Sequence, residues 1–259
     1  MKAMLLAAGK GTRFSPHSDF IAKPSIPFLG LPMMGFGLHW LFQLGAKDFV
    51  INTHHLPHSV EDAATKMFEE GKVFFTPFEE DLQEPLKLSF SLETPKILDS
   101  AGGIGYARKK LQGGGYFFVS NGDSPLFLKE SPRKIIEQHL NSGALATLLA
   151  LEHPLPFELD FLSDFEKAQV TKNHSKDLGG LWVNEEGKIL GIGGESVAAC
   201  KSYRFPGLAI YSDRIFELIP SQGASHIFKD VLIPAIESGE TVKAYQPEGF
   251  WLETGNESD

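Results

Sequence analysis

The chain has 259 residues, of which 42% are hydrophobic, and a formal net charge of -9 at pH 7. This length can bury the core of one α/β domain or of two small ones, and we expect a single domain over residues 1–259. The acidic balance argues against broad binding to nucleic acids or to anionic membranes, because both depend on a basic face. Any anion-binding site must therefore be local.

The N-terminal stretch and the single cysteine bear on the compartment. Residues 3–8 resemble the apolar part of a signal peptide, but they are few, and GKGTR follows them in place of a small-residue cleavage site. No run approaches the roughly 18 apolar residues that span a bilayer. Cys200 can form neither an internal disulfide nor a cysteine-only metal site, and we interpret it as a small buried hydrophobe. We expect a cytoplasmic protein without a membrane partner.

Short β-rich apolar runs alternate with segments of helical period. This alternation predicts an α/β, Rossmann-like three-layer sandwich, with a mostly parallel mixed sheet between helices. The predicted strands are residues 3–8, 48–53, 87–92, 116–121, 144–151 and 207–211. The predicted helices are residues 34–44 before a C-cap at Gly45, 59–70 beginning at Ser59, and 132–142 with Pro132 in the first turn.

Three stretches fit this alternation less well. Residues 77–86 and 153–178 mix prolines, acids and aromatics without a clear period, so we expect surface insertions there, and the second could form part of a lid. Residues 180–192 have apolar runs on either side of Asn184–Gly187, which predicts a β-hairpin.

A glycine-rich turn follows the first predicted strand. Gly9 and Gly11 would let backbone N–H groups approach an anion closely, because glycine has no side chain to obstruct it. Two familiar phosphate motifs fail on spacing: Walker A needs four residues between its glycine and Gly-Lys, and the dinucleotide fingerprint needs a glycine where Phe14 stands. Taken alone, the remaining G-x-G-T-R pattern fits a plain strand-to-loop turn equally well.

The residues that follow make this motif more specific. After Arg13 come Pro16, Asp19 and the pair Lys23-Pro24. In this order they resemble the signature of the sugar-1-phosphate nucleotidyltransferases, also called NDP-sugar pyrophosphorylases. The chain is most similar to the subgroup around N-acetylmuramic acid 1-phosphate uridylyltransferase. Further similar stretches are VINTHHL at 50–56, SAGGI at 100–104, VSNGD at 119–123, GALATLLAL at 143–151, FPGLAIYS at 205–212 and FWLETGN at 250–256.

The resemblance implies a nucleotide-diphospho-sugar transferase fold and the transfer of a nucleotidyl group. An oxygen of a sugar 1-phosphate would attack the α-phosphorus of a nucleoside triphosphate in line, and pyrophosphate would leave, with Mg²⁺ as cofactor. The favoured nucleotide is UTP, and the sugar substrate is N-acetylmuramic acid 1-phosphate or a hexose 1-phosphate. Guanylyl transfer to mannose 1-phosphate and thymidylyl transfer to glucose 1-phosphate stay open as alternatives.

The resemblance also assigns residues to the nucleotide. Gly102 and Gly103 correspond to a loop beside the nucleobase, where many relatives read Thr-Gly-Gly-Gly. Arg13 would bind the triphosphate and the departing pyrophosphate, because a guanidinium is a fixed fork of donors. Lys23 would reach the α-phosphate or the sugar phosphate, and with Arg13 and Asp123 it forms the expected catalytic set. The expected nucleotide-binding positions are Leu6, Ala8, Gly9, Gly11, Thr12, Arg13, Gly102 and Gly103.

Two carboxylates are the Mg²⁺ ligands that the resemblance implies. Asp123 ends a predicted strand, and the carboxyl edge of a parallel sheet faces the ligand crevice. The second ligand corresponds to Glu253, where relatives carry an aspartate, and Asn256 replaces a threonine. A glutamate can bind magnesium if its extra methylene fits a near-octahedral site with ligand distances of about 2.1 Å. Asn121 and Gly207 match positions near the sugar.

Two other functions stay open. A sugar-nucleotide-binding regulatory subunit without turnover would account for Glu253 and Asn256. A nucleotide-sugar-dependent glycosyltransferase can share the sheet topology, but it should have an Asp-x-Asp metal motif. This chain offers Asn121-Gly122-Asp123 instead, so we rank the glycosyltransferase last.

A histidine-rich stretch could also be interpreted as a metal cluster. It contains His54, His55 and His58 at the end of a predicted strand. The spacing fixes no carboxylate partner for them, so we interpret the three histidines as structural or substrate-side residues.

Overall fold

The computed structural model of the chain describes residues 1–70, 85–152, 180–252 and 254. The strands are β1 Lys2–Leu6, β2 Pro27–Phe28, β3 Leu31–Pro32, β4 Asp48–Thr53, β5 Lys87–Leu92, β6 Tyr116–Asn121, β7 Leu126–Leu128, β8 Ala146–Leu149, β9 Gly180–Val183, β10 Ile189–Ile192, β11 Lys201–Arg204, β12 Leu208–Ser212, β13 Val242–Tyr245 and β14 Gly249–Trp251. The α-helices are α1 Met34–Gln43, α2 Pro57–Glu69, α3 Asp99–Tyr106, α4 Arg108–Leu111, α5 Lys134–Ser142, α6 Ile215–Leu218 and α7 Ile233–Glu237. A π-helical segment, Ile227–Leu232, leads into α7.

Seven strands form the central sheet, in the order β13-β8-β12-β6-β1-β4-β5. Neighbouring strands are parallel except at β12, which is antiparallel to both β6 and β8. The predicted mostly parallel mixed sheet is therefore confirmed. The register places the carboxyl ends of three strands side by side, because Leu6 at the end of β1 pairs with Asn52 of β4 and with Asn121 of β6.

Helices cover both faces of the sheet because successive strand residues point to opposite sides. Met4 and Val50 lie in one apolar cluster with residues of α3, α4, α6 and α7. Leu5 and Ile51 lie in a second cluster with residues of α1, α2 and α5. A strand buried on both faces reads as a continuous apolar run, which is the pattern of MLLAA. The predicted three-layer sandwich is confirmed.

Smaller antiparallel ladders flank the sheet. The order β10-β9-β11 forms a three-stranded sheet, β14 pairs with β7, and β2 pairs with β3. The hairpin predicted over 180–192 is confirmed: β9 and β10 pair across a turn in which the Gly187 N–H donates to the Asn184 carbonyl at 3.0 Å. Gly187 has φ of 72°, a left-handed conformation that glycine adopts without strain.

Several predicted boundaries agree closely with the structure and others do not. Three strands have the predicted bounds, 48–53, 87–92 and 116–121. The helix predicted over 34–44 ends at Gln43, and Gly45 closes it in a left-handed conformation with φ of 87°. Strands β1 and β8 are shorter than the runs predicted from their sequences, because the apolar residues continue into buried loops.

The predicted start of the second helix is wrong. The helix begins at Pro57 and not at Ser59, because proline is well suited to the first helical turn. Leu56 precedes it in a left-handed conformation with φ of 46°, and no side chain caps the helix. The Ser59 hydroxyl accepts a hydrogen bond from the Ala22 N–H at 3.2 Å instead. A serine that resembled a helix cap thus holds a loop.

Some predictions fall outside the described residues. These are the insertion over 153–178 and residues 77–84 of the insertion predicted over 77–86. Cys200 is half-buried and not fully buried as predicted, and burial raises the pKa of its thiol. Within the described ranges, none of the helices combines the length and apolar character that a bilayer crossing needs.

Candidate active site

A cavity of about 340 Å³ lies at the carboxyl ends of β1, β4 and β6. Ligands of open α/β sheets bind at this edge, because loops that leave the strands there surround a crevice. The structure brings a large part of the predicted site together in the lining of this cavity: Leu6, Ala8, Gly9, Gly11, Thr12, Arg13, Lys23, Asn121 and Asp123.

Gly11 adopts a conformation that its turn requires. Its φ of 62° is left-handed, and a Cβ at this position would lie 3.0 Å from Cβ of Lys23 and 3.2 Å from Cβ of Ser18. The Ser18 hydroxyl donates to the Gly11 carbonyl at 2.8 Å, which fixes the peptide. Gly9 has open space within 4 Å of its missing Cβ, so its backbone is free to approach a ligand.

The two basic residues of the loop have different surroundings. Arg13 is exposed at the mouth of the cavity. Lys23 is 7% exposed, and its Nζ donates to Oδ2 of Asp123 at 2.8 Å. The same ammonium lies 5.6 Å from the ring centroid of Phe14, within the range of a cation–π contact. Lys23 is therefore fixed in place, whereas Arg13 projects into solvent.

Asp123 is held by its neighbours at the end of β6. Gly122 donates its N–H to the Leu6 carbonyl at 2.9 Å, and a Cβ at Gly122 would lie only 2.9 Å from that oxygen. The Thr254 hydroxyl donates to the Asp123 carbonyl at 2.6 Å. The loop after β6 is thereby fixed to the end of β1 and to the chain after β14. We name residues 9–24 together with Asp123 the glycine-loop wall.

The expected metal site can be tested at one of its two ligands. The Asp123 side chain is 42% exposed, and carboxylate oxygens are the ligands that Mg²⁺ prefers, so this residue fits the ion. Glu253 lies outside the described residues, as does Asn256. Among the residues that the structure describes, no group of three histidine, cysteine, aspartate or glutamate side chains could hold a metal by itself.

Gly207 supports a cavity residue instead of lining the cavity. It has φ of 103°, and a Cβ there would lie 2.8 Å from Cβ of Asn121. Its carbonyl accepts the Asn121 N–H at 2.9 Å. Asn121 itself lines the cavity, so the two predicted sugar-side residues are neighbours with different roles.

The loop expected at Gly102 and Gly103 is a helix in the structure. Both glycines are buried within α3, because they allow close packing: a Cβ at Gly103 would lie 2.5 Å from Oε1 of Glu93, and one at Gly102 would lie 2.9 Å from the Gly223 carbonyl oxygen. Neither glycine lines the cavity, which corrects the loop assignment. The start of this helix and the residues before it, 97–100, provide lining residues instead.

Sequence analysis missed a hydrogen-bond network on the other side of the cavity. Asn52 accepts the Ala7 N–H on Oδ1 at 2.7 Å and donates from Nδ2 to Oε1 of Glu93 at 2.7 Å. Oε2 of Glu93 accepts the Leu98 N–H, also at 2.7 Å. A usable signal existed, since both side chains occur at the carboxyl ends of adjacent parallel strands, β4 and β5. We name Asn52, Glu93 and residues 97–100 the network wall.

The histidines after β4 have structural contacts. His54 Nδ1 is 2.8 Å from the Glu93 carbonyl oxygen, and His55 Nε2 is 2.8 Å from that of Ser18. His58 Nδ1 lies 3.7 Å from a carboxylate oxygen of Glu61 on the exposed face of α2. The first two histidines thus link the network wall and the glycine-loop wall to β4, in line with their interpretation as structural residues.

The chain is similar to known proteins in family, sequence and structure. The family model described as Nucleotidyl transferase matches residues 2–158. The chain is 28% identical over 274 residues to UTP–glucose-1-phosphate uridylyltransferase of Synechocystis sp., covering all of this chain and 61% of that protein. It is 37% identical over 123 residues to N-acetylmuramate alpha-1-phosphate uridylyltransferase of Neisseria meningitidis serogroup B, covering 48% of this chain and 47% of that protein.

Solved structures share the fold at low sequence identity. HddC from Yersinia pseudotuberculosis superposes with a TM-score of 0.68 at 19% identity, covering 99% of this chain and 95% of that chain. UDP-glucose pyrophosphorylase complexed with UDP-glucose superposes with a TM-score of 0.70 at 17% identity, covering 98% and 93%. The expected nucleotide-diphospho-sugar transferase fold is confirmed. The chain spans about three fifths of the length of the Synechocystis relative.

Proposed function

The chain belongs to the nucleotidyl transferase family, and we propose that it transfers a nucleotidyl group from a nucleoside triphosphate to a sugar 1-phosphate. One observation supports this most directly: Lys23 and Asp123 meet at 2.8 Å in a cavity that the exposed Arg13 and the open backbone of Gly9 also line. A cation-rich glycine loop beside a carboxylate suits phosphates and a divalent metal together.

The proposed reaction exchanges one phosphoanhydride bond for another. An oxygen of the sugar phosphate attacks the α-phosphorus, and the bond from the α-phosphorus to the bridging oxygen of the β-phosphate breaks. The electron pair leaves with pyrophosphate, and no covalent enzyme intermediate forms. Positioning and charge stabilisation are then the main tasks of the protein.

Repulsion between the two substrates is the physical obstacle. Each pair of unit charges at about 4 Å repels by roughly 4 kcal/mol at an effective dielectric of 20. Lys23 is positioned to offset this repulsion at the reacting phosphate, since it is nearly buried and fixed by Asp123. Arg13 is exposed and can follow the pyrophosphate as it leaves. Mg²⁺ bound by Asp123, with Glu253 as the proposed second ligand, would add Lewis-acid stabilisation of the phosphate oxygens.

We favour UTP as the nucleotide and N-acetylmuramic acid 1-phosphate or a hexose 1-phosphate as the acceptor. The names of the relatives from Synechocystis and Neisseria support uridylyl transfer. Other relatives support the guanylyl alternative, among them the mannose-1-phosphate guanylyltransferase catalytic subunit beta of Dictyostelium discoideum, at 25% identity over 260 residues. Thymidylyl transfer is the remaining alternative.

A pyrophosphate-release assay tests the proposal. Purified protein is incubated with each of UTP, GTP, CTP, ATP and dTTP against a panel of sugar 1-phosphates, with and without Mg²⁺. We expect turnover with at least one pair, dependent on the metal, and abolished in Asp123→Asn. Asp62→Asn is the matched control, because Asp62 is exposed on α2 away from the cavity.

One result would reject the proposed reaction, and another would reject only its metal site. Absence of turnover with every pair would rule out the transferase, and nucleotide binding that persisted in that case would favour the non-catalytic regulatory subunit. Full activity of Asp123→Asn would leave the transferase but remove Asp123 from the metal site.

A further inference from the structure

Glu93 is a buried carboxylate in the lining of the cavity. It follows β5 and is 1% exposed. In the part of the chain that the structure describes, the groups that donate to its two oxygens are neutral N–H groups, Asn52 Nδ2 at 2.7 Å and the Leu98 N–H at 2.7 Å. A buried carboxylate is costly unless it is hydrogen-bonded. Both oxygens of Glu93 therefore act as hydrogen-bond acceptors. A side chain that only filled this space would not need two acceptor atoms.

Asn52 links Glu93 to Ala7, the residue that follows β1. The side chain is 3% exposed, and its amide oxygen accepts the Ala7 N–H at 2.7 Å. Ala7 directly precedes Ala8 and Gly9 of the cavity lining. The chain of hydrogen bonds thus runs from the Ala7 peptide through Asn52 to Glu93.

The second oxygen of Glu93 fixes the opposite segment. Through the Leu98 N–H it holds the stretch that contains Ile97, Asp99 and Ser100, all of which line the cavity. Asp99 has a left-handed φ of 61°, a conformation that is uncommon for residues other than glycine. Two buried side chains, Asn52 and Glu93, therefore connect backbone on both sides of the cavity.

The pair is packed closely against α3. A Cβ at Gly103 of α3 would lie 2.5 Å from Oε1 of Glu93 and 2.9 Å from Nδ2 of Asn52. His54 Nδ1 is 2.8 Å from the Glu93 carbonyl oxygen and fixes the backbone of the same residue. Packing and hydrogen bonding thus select one orientation of the Asn52 amide.

We propose that Asn52 and Glu93 are a positioning pair that sets the distance between the start of the glycine loop and residues 97–100, and so determines how tightly the nucleoside part of a nucleoside triphosphate is held. The inference rests on the proposed function, since it assigns the nucleotide to this cavity. The pair acts through the backbone of Ala7 and Leu98, and neither side chain needs to contact the reacting phosphates.

Exchanging the two functional groups tests the pair. Glu93→Gln keeps the volume but turns one acceptor into an NH₂ group, which then faces a donor, either Asn52 Nδ2 or the Leu98 N–H. Asn52→Asp places two acceptors opposite each other, at Glu93 Oε1 and the new oxygen. Combining both substitutions restores all three hydrogen bonds, because the introduced amide donates to the introduced carboxylate.

We expect each single variant to raise KM and Kd for the nucleotide about tenfold or more, with kcat changed by less than about threefold. The double variant should return both constants to within about threefold of the wild type. Glu69→Gln, on the exposed end of α2, is the matched control and should change nothing. Denaturant unfolding of every variant separates loss of fold from loss of binding.

Equilibrium binding of UTP, GTP, CTP, ATP and dTTP, measured by calorimetry, makes the readout independent of turnover. Unchanged constants in folded single variants would overturn the inference, and so would a folded double variant that binds no better than the singles. If the wild type binds a nucleotide but turns over no substrate pair, the proposed reaction fails while the binding data still decide the inference. If the wild type binds none of the five, both fail.

Discussion

The two walls of the cavity are held together in opposite ways. The glycine-loop wall is charged and partly exposed, and its main side-chain contact is the ion pair of Lys23 with Asp123 at 2.8 Å. In the network wall, the side chains of Asn52 and Glu93 are buried, and hydrogen bonds from neutral donors join the wall to Glu93, which is 1% exposed. Charged groups at a solvent-accessible site can bind and release a polyanion, whereas a buried network fixes shape. We therefore expect the glycine-loop wall to bind the phosphates and the network wall to fix the shape of the cavity.

Lys23→Ala should give the largest effect, and it tests whether the charge of the glycine-loop wall supports the reaction. Removing the ammonium takes away a nearly buried cation next to Asp123 and leaves the repulsion between the substrates uncompensated. By analogy with the loss of one preorganised donor to a developing charge, we expect kcat to fall about 10²- to 10³-fold. Steady-state kinetics of pyrophosphate release measures the loss.

The matched control for this variant is Lys10→Ala. Lys10 belongs to the same loop, but it is exposed and does not line the cavity. Its kcat should stay within about twofold of the wild type, because exposed charges contribute little. Equal losses in the two variants would mean that the loop acts only through its overall charge, and the assignment of Lys23 would then be wrong.

The glycine-loop wall could be predicted from the sequence because its members are close in the chain. Gly9, Gly11, Arg13 and Lys23 occur within 15 residues, so their spacing is itself a signal. The residues of the network wall are far apart in the chain, so their spacing gives no signal, and their positions at strand ends are a weaker one. Asn52 is separated from Ala7 by 45 positions and from Glu93 by 41, and each residue alone resembles an ordinary strand end. Only the parallel register of β1, β4 and β5 makes them neighbours.

The same distinction holds for the fold. The predicted bounds of β4, β5 and β6 are correct because alternation and burial are local properties of those runs. The antiparallel direction of β12 could not be predicted, because a short apolar run does not encode its direction in a sheet. Helix α3 was missed because its sequence contains three glycines, which disfavour helices, and close packing against Glu93 and residue 223 explains why two of them are there.

Gly11→Ala should strain the glycine-loop wall and leave the network wall unchanged. The left-handed φ of 62° costs an alanine about 1–2 kcal/mol, and the new Cβ would lie 3.0 Å from Cβ of Lys23. We expect a loss of about that size in the free energy of unfolding and a clear drop in kcat, because Lys23 must shift. Denaturant unfolding and steady-state kinetics measure both quantities.

Gly9→Ala is the control for this prediction. A Cβ at Gly9 meets open space, and the residue is not among those with positive φ. It should fold with unchanged stability, so any loss of nucleotide affinity would report contact between ligand and backbone. A Gly11→Ala variant as stable and active as the wild type would show that the loop does not need the left-handed turn.

Lowering the pH should destabilise the fold by a smaller amount, through two buried histidines. Burial lowers the pKa of His39 and of His139 from 6.5 to about 4, with Arg214 adding to the effect at His139. The unfolded chain therefore takes up protons that the folded chain does not, and stability that is fully present above pH 6.5 is lost as the pH falls towards 4. At pH 5.5 each histidine should cost at most about 1.4 kcal/mol.

Denaturant unfolding at pH 7.5 and 5.5 measures this difference. His139→Gln should make it smaller, and His58→Gln, whose side chain is 90% exposed, should leave it unchanged. Neither buried histidine lines the cavity, so nucleotide affinity should change less than stability does. A pH dependence that is the same in His139→Gln and in the wild type would remove His139 from this account.

Ser59→Ala should have the smallest effect, and it tests whether the glycine-loop wall is held by its own residues alone. The Ser59 hydroxyl accepts the Ala22 N–H at 3.2 Å, and the Ser59 carbonyl accepts the Ser25 hydroxyl at 3.0 Å, so α2 holds the chain on both sides of Lys23. The substitution removes the first bond and leaves a buried N–H without that acceptor, which costs about 1 kcal/mol of unfolding free energy. KM for the nucleotide should rise only a few-fold, because the second bond persists.

Ser142→Ala is the control for this prediction. It removes a hydroxyl that bonds within its own helix, so it gives the loss expected without any link to the loop. If Ser59→Ala instead loses as much activity as Lys23→Ala, the position of Lys23 depends on α2 more than on the turn at Gly11. The glycine-loop wall would then depend on contacts that are distant in the chain, as the network wall does.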